Sequence, residues 1–399
     1  MGWSQFRGDQ RNGAGKGIPG GTFQAVLEWS FPLPSQGIGG LSATDELVVV
    51  SSRDRNDLSD LFFVLDPLTG ALVCKYEIRA EGHLDYGNSP RATPVIGSQY
   101  IYLQSAFGEL VALDPTENKV VWSRNLVQDF HGEMPTWGFC SSPLLFEGNL
   151  IVQPGGKAAS VVSLDEATGE VRWQASELPA AYASPVVAVT KQQPNTDSAA
   201  SNPVLIVTGA KSIRGIDVTN GTQCWEIVPE TSGDFMVPTP IVTGNLLLLT
   251  SENNGTRMYD LAAKKNQGAE SLPQLAKSKT LSGDTHTPVV VGDFLVGVDG
   301  DLISLNCKAQ LREASVFSDD ALDQYTTLLQ ENNRLLVCCS NGTCIGIRVE
   351  PNGELVEYAR SNVAKESSPI MAHPALVEGL LLVRHSDRVN AYRLEQDAP

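Results

Sequence analysis

The two ends of this chain complete a single repeat between them. Residues 27–33 read LEWSFPL, and residues 120–126, which end an internal repeat, read VVWSRNL with the Trp in register. The C-terminus closes on NAYRL at 390–394, where the other repeats still continue into one further strand. An array whose ends supply each other's missing piece is a closed ring. Closure removes the exposed sheet edges that an open stack would leave for aggregation.

Three segments define the repeat without gaps: ALDPTENKVVW at 112–122, SLDEATGEVRW at 163–173 and GIDVTNGTQCW at 215–225. A fourth, VLDPLTGALVC at 64–74, carries Cys74 in the Trp slot. Trp122, Trp173 and Trp225 lie 51 and 52 residues apart, a spacing longer than ankyrin or leucine-rich periods and suited to propeller blades. Asp66, Asp114, Asp165 and Asp217 each end a strand, where a carboxylate accepts from the amides of the following turn. Four residues on stand Gly70, Asn118, Gly169 and Gly221, residue types that accept positive φ. The result is a hairpin whose second arm places Trp122, Trp173, Trp225 and, at the closing strand, Trp29 on one face, as wedges between blades.

A hydroxyl residue and Pro open each repeat: Thr93-Pro94, Ser142-Pro143, Ser184-Pro185, Thr239-Pro240 and Thr287-Pro288, with His373-Pro374 as a variant. Proline has no amide donor and belongs at the first residue of a strand, where no ladder bond is lost. Together these signals predict an all-β chain: an eight-bladed β-propeller of four-stranded antiparallel blades, closed by the N-terminal strand, with seven blades as the alternative. The blades fall at about 38–80, 92–127, 141–178, 183–230, 239–281, 287–318, 326–361 and 373–394 plus 24–31. The whole chain, 1–399, reads as one propeller domain, with 1–23 an N-terminal extension and 24–31 the closing strand. Later blades are degraded: Asn306 replaces the turn Asp in blade six, and blade five has no Trp.

With 36 Gly, 23 Pro and little helical periodicity, the composition suits short strands and many turns. No apolar run approaches the ~18 residues of a membrane span. The formal net charge of −17 argues against nucleic acid and anionic membrane surfaces as partners, since both require a basic face. Acidic residues concentrate only in DRNDLSD at 54–60, read as a solvated loop with a calcium site as the alternative. The seven Cys show no zinc-type spacing; Cys140 and Cys224 read as buried apolar residues in or beside strands. Cys338 and Cys339 are adjacent at a strand end, open to core packing or a strained ring disulfide, and Cys344 offers another partner. Two irregular stretches interrupt the repeats: a polar hairpin tip at 190–203, and 262–279, whose Lys264, Lys265, Lys277 and Lys279 form a mildly basic patch, read as a solvated loop with an acidic partner as the alternative. The start MGWSQFRG has no basic and apolar leader, so the expected placement is extracytoplasmic if a leader was removed and cytoplasmic if Met1 is native.

The segments before each Pro-opened strand enter the innermost strands from one direction and gather around the channel on one face. They supply Asp85, Tyr86, Arg91, His131, Trp137, Phe139, Tyr182, Asp234, Met236, Asp284, His286, Tyr325, Glu366 and His373. From these the ligand-binding candidates at the rim are Arg91, Trp137, Tyr182, Asp284, His286, Glu366 and His373. Each has a structural alternative. Arg91 would pair with a carboxylate or bind an anion. Trp137 would stack on a ligand or wedge between blades. His286 would satisfy backbone groups or act as ligand or base, and His373, in the hydroxyl slot, would make a structural hydrogen bond.

The segments WSQFRGDQRNGAG at 3–15, SPRATP at 89–94, WGFCSSPLLFEGNLIVQPGGK at 137–157 and AYASPVV at 181–187 resemble the pyrroloquinoline-quinone-like β-propeller repeat family, and within it the BamB-like proteins of planctomycete type. The resemblance covers essentially the whole chain and implies an envelope protein, either a scaffold or a quinone-dependent dehydrogenase. With no nucleophile elbow, zinc motif or phosphate loop in the chain, a non-catalytic binding scaffold of the bacterial cell envelope is the leading expectation: a monomer with a protein or polymer partner and no cofactor. One alternative is a dehydrogenase using pyrroloquinoline quinone and Ca²⁺, with Asp284 or Glu366 as base or metal ligand, Arg91 on a quinone carboxylate and Trp137 stacked on the ring. The other is a carbohydrate-binding or carbohydrate-processing propeller, with Trp137, Tyr182 and Tyr325 stacking on sugar rings.

Overall fold

The computed structural model describes residues 2–190, 203–263, 271–363 and 369–397. It contains eight four-stranded antiparallel sheets. Seven are simple meanders, each built from consecutive strands. Their inner strands are short, as in Leu144–Phe146 and Val289–Val291, and the strands behind them are longer. In the eighth sheet the outermost place is taken by Phe23–Pro32, which pairs with Arg388–Gln396 from Phe23 opposite Gln396 to Pro32 opposite Arg388. The inner strands of blades eight and one touch, so the ring is closed from both sides. This is the eight-bladed propeller expected from the repeats; the alternative count of seven is excluded.

The repeat chemistry operates as hydrogen bonds. The Asp66 carboxylate accepts from the amides of Leu68 and Thr69 at 3.0 and 2.8 Å, and Gly70 sits at φ +67°. Asp114, Asp165 and Asp217 each accept from the amide two residues on. Gly169 and Gly221 take φ +69° and +78°, and Asn118 takes +49°. In blade six Asn306 performs the same task, its side chain accepting from Lys308 and Ala309. The substitution changes the charge and keeps the geometry.

Every blade has a bulge between its third and outermost strand, just before the Trp slot. An extra residue twists the strand locally and re-aims the side chain that follows. The indole of Trp29 thereby donates to Pro67 O of blade one at 2.9 Å, that of Trp122 to Glu166 O of blade three at 3.0 Å, and that of Trp173 to Val218 O of blade four at 2.8 Å. Each ring covers the turn glycine of the next blade, where a Cβ on Gly70, Gly169 or Gly221 would meet it at 2.5–2.7 Å. The wedge and the turn are thus two halves of one inter-blade contact. The core is divided accordingly: Val49, Phe62 and Val64 of blade one pack with Leu103, Val111 and Leu113 of blade two, and the other interfaces repeat the arrangement.

The hydroxyl of the strand-opening pair has its own function. Thr93 N–H donates to Ser142 Oγ, Ser142 N–H to Ser184 Oγ, Ser184 N–H to Thr239 Oγ1, and Thr239 N–H to Thr287 Oγ1, at 3.0–3.2 Å. Successive blades are therefore linked around the channel by one side chain each.

The cysteine readings need two corrections. Cys140 lies ahead of its strand and lines the channel, with burial pushing its thiol up to about 12. Cys224 occupies the bulge of blade four, between Gln223 and Trp225, and is only partly buried, packed against the core cluster of Trp225. In the acidic loop, Asp54 accepts from the amides of Asn56, Leu58 and Ser59, while Asp57 and Asp60 bind Arg53. Those carboxylates serve the loop's own fold. Residues 191–202, with most of the polar tip, and Lys264 and Lys265 lie outside the described residues; Lys277 pairs with Glu230 at 2.5 Å.

Candidate functional site

The N-terminal residues, expected only as an extension, run through the channel. Trp3 pairs with Ala43 of blade one, and Ser4 O accepts from Ile96 of blade two. Arg11 reaches blade three, donating to Ser142 O and Pro143 O at 3.0 and 3.2 Å, and Arg7 reaches blade six, donating to Thr287 O and Pro288 O at 2.8 and 2.9 Å. The two guanidiniums thus clasp strand-opening pairs three blades apart. Both are buried, 1% and 4% exposed, and burial lowers each pKa to about 9, which leaves them charged at neutral pH. Beyond them Gly13, Gly15 and Gly17 pass blades six to eight, where a Cβ would meet Val289 at 3.0 Å, Leu376 at 2.9 Å and Gly379 at 2.3 Å. Close approach requires glycine at all three positions, and Gly13 and Gly17 also sit in the left-handed region at φ +77° and +94°.

The plug converts the channel into a blind funnel. Its lower chamber, about 200 Å³, has Phe6 and Arg7 as floor and the hydroxyl ring, His286 and His373 as wall. The upper chamber, about 230 Å³, is apolar and lined by Ile38, Tyr86, Trp137, Tyr182, Tyr325 and Met371 among others. At the mouth Trp137 packs between Tyr182 and Phe235, with ring centroids 4.8 and 4.9 Å away. The expected wedge role of Trp137 is therefore corrected: it meets the loops of the next two blades at the funnel mouth, and Phe235 is 52% exposed beside it.

The ionisable candidates are held in place by backbone carbonyls. Arg91 donates to Asp85 O, Gly87 O, Trp137 O and Tyr86 O at 2.6–3.4 Å, stapling two rim loops, so of its two expected roles the carboxylate pairing is replaced by four carbonyls. His286 Nδ1 lies 2.8 Å from Thr326 O, and because a carbonyl only accepts, Nδ1 carries the proton. Its Nε2 is buried without a hydrogen-bond partner among the described residues, and burial pushes its pKa down to about 4. His373 has Nδ1 2.9 Å from Pro374 O, stacks on Trp3 and is pushed to about 3, first by burial and then by Arg7. Both imidazoles are neutral at pH 7.

The remaining rim residues are placed elsewhere. Asp284 is absent from the funnel lining, where its neighbour Thr285 stands instead, and its carboxylate accepts from the Thr285 hydroxyl at 3.3 Å. Asp234 accepts from Asn253 and Asn254, Met236 and Phe139 are buried, and His131 ends a one-turn helix in the left-handed region. Glu366 lies outside the described residues. Among the described residues no Asp or Glu lines either chamber, and no three His, Cys, Asp or Glu side chains gather at metal-binding distance. No described helix is long and apolar enough to cross a membrane.

No curated protein matches the sequence. Among solved structures, the fold is similar to BamB from Moraxella catarrhalis, with TM-score 0.62 and 14% identity over 94% of this chain and 99% of that one. It is also similar to the quinohemoprotein alcohol dehydrogenase from Comamonas testosteroni, with TM-score 0.67 and 14% identity over 100% of this chain and 81% of that one. A europium-containing methanol dehydrogenase gives 0.63 and 11% over 96% and 89%. At such identities these likenesses concern the fold. The model of a family described as outer membrane protein assembly factor BamB matches residues 63–311, and the chain belongs to that family.

Proposed function

We propose that this protein is a non-catalytic binding propeller of the bacterial cell envelope, acting outside the cytoplasm as a monomer that holds a protein partner at the aromatic mouth of its funnel. The observation that carries this reading is the state of the ionisable lining. Arg7 and Arg91 are bound to carbonyls, His286 and His373 are neutral and held through Nδ1, and no carboxylate among the described residues faces the cavity. General acid–base chemistry needs a group that titrates near the working pH within reach of substrate. A wall so constituted favours adhesion over turnover.

The same donors bear on the quinone alternative. Ca²⁺ takes about six to eight oxygen ligands with carboxylates prominent among them, and among the described residues the funnel lining offers no carboxylate. The mouth suits protein instead: exposed Phe235 and Tyr86 beside half-buried Trp137 give rigid aromatic area of the kind that anchors interfaces.

A thermal-shift titration with pyrroloquinoline quinone plus Ca²⁺, run beside Ca²⁺ alone, tests the reading. Ligand at 100 times its Kd stabilises by about 2.7 kcal/mol; a shift requiring both components overturns the scaffold assignment. A photo-crosslinker at Phe235 should trap a protein in envelope extracts, and one at Val26 on the outer strand of blade eight should not. Equal trapping at both positions removes the mouth as the binding face.

A further inference from the structure

Cys338, Cys339 and Cys344 bring three thiols to the end of one hairpin in blade seven, and the register separates them. The strands Arg334–Cys338 and Thr343–Val349 are antiparallel, with Cys338 directly opposite Cys344. Next to this pair the Cys339 amide donates to Thr343 O at 2.8 Å, and at the far end the Val349 amide donates to Asn333 O at 2.9 Å. Hydrogen-bonded pairs alternate along an antiparallel ladder, which makes Cys338 and Cys344 a non-hydrogen-bonded pair. At such sites Cα atoms lie about 4.5 Å apart, inside the ~4.4–6.8 Å range of disulfides.

The faces agree with the register. Successive side chains of a strand point to opposite sides. Cys338 and Cys344 pack toward blade eight with Val363, Ile370 and Val383, whereas Cys339 packs toward blade six with Val298 and Leu322. The thiol of Cys338 is hydrogen-bonded with that of Cys344, which together with burial raises its pKa. The adjacent pair considered from sequence is thereby set aside, since Cys338 and Cys339 diverge.

We propose that Cys338 and Cys344 form a cross-strand disulfide when the chain meets a disulfide oxidant, and that Cys339 remains a thiol. In the first step one cysteine thiolate attacks a sulfur of the oxidant, forming a mixed disulfide and releasing one thiolate. The second cysteine thiolate then displaces the other half of the oxidant. Two protein S–H bonds and one oxidant S–S bond are lost, one protein S–S bond forms, and the two protons end on the two released thiols. Cys344 is 1% exposed, so exchange through it is fastest in the folding chain, before blade eight covers the hairpin.

The clip would sit where the last connection of the ring is anchored. Gly342 O accepts from Val363 and Ser340 O from Ile370, while the Ser340 hydroxyl binds Asp323. Locking the hairpin therefore holds the attachment of blade eight, the blade that closes the propeller.

The test is refolding of the full chain in oxidised glutathione against refolding in reduced glutathione, followed by alkylation, intact mass and peptide mapping. Oxidised protein should be two hydrogens lighter, carry five alkylatable thiols in place of seven, yield a 338–344 linked peptide and melt at a higher temperature. Cys339→Ala should keep the link. Cys344→Ala should abolish it and leave Cys338 open to glutathionylation. Seven alkylated thiols after oxidative refolding, or a link that uses Cys339, overturns the proposal.

Discussion

Gly169→Ala and Trp122→Ala, singly and together, probe the contact on which the whole ring is built. In the native protein a Cβ at Gly169 would stand 2.6 Å from Cδ2 and 2.8 Å from Cε3 of Trp122, and the residue has φ +69°. The left-handed backbone costs an alanine about 1–2 kcal/mol, and forcing a methyl into a packed contact adds about 1–3 kcal/mol. Gly169→Ala alone should therefore cost about 2–5 kcal/mol. Trp122, 9% exposed and bonded to Glu166 O, should cost about 3–5 kcal/mol on truncation. With the indole gone, the alanine retains only its backbone penalty of about 1–2 kcal/mol, so the double variant should fall short of the sum by about 1–3 kcal/mol. Urea unfolding followed by far-ultraviolet circular dichroism reads all four proteins without relying on Trp fluorescence. Single costs that add to within about 0.5 kcal/mol would refute the wedge-on-turn argument.

Stability should fall on acidification through the two funnel histidines. Their folded pKa values of about 4 and 3 lie below the unfolded value of ~6.5. The unfolded chain thus binds more protons between those limits, and stability present above pH ~6.5 is lost as the pH drops toward 4. Asp60 acts oppositely, since burial raises it to about 6 and its contribution is lost as the pH rises through that value. The two histidines outweigh it, and H286Q/H373Q should flatten the decline in Tm between pH 7 and 5; an unchanged slope would exclude them as its source. Arg7→Ala removes two charge-assisted bonds to Thr287 O and Pro288 O and leaves the carbonyls buried, for a loss of about 3–5 kcal/mol. A urea midpoint equivalent to less than about 0.5 kcal/mol would show that the plug contributes nothing to the ring.

Much of the funnel could not be read from the chain, for identifiable reasons. Arg91, Trp137, Tyr182, His286, Tyr325 and His373 line the funnel because entry direction into the inner strands is a property of the repeat, yet which side chains face inward depends on loop paths. Asp284 and Thr285 are neighbours, and only Thr285 lines the cavity. Arg91 was expected to pair with a carboxylate or bind an anion, whereas loop carbonyls 85–87 fold back on it. The plug's one sequence signal is the run of glycines at alternate positions, Gly13, Gly15 and Gly17, where the chain passes close to other blades.

By itself the sequence determined the repeat unit and the way the ring closes, and it left the number of blades at eight or seven. Asp–turn–Gly hairpins, bulge-adjacent Trp residues and hydroxyl–Pro openings act within a blade or between neighbours, over distances that local spacing encodes. The tertiary structure alone decided that the channel is blind, that the histidines are neutral, and that Cys338 faces Cys344 while turning away from Cys339. Those properties arise from contacts between residues hundreds of positions apart, as between Arg7 and Pro288, or from a strand register that a slip of one residue would reverse.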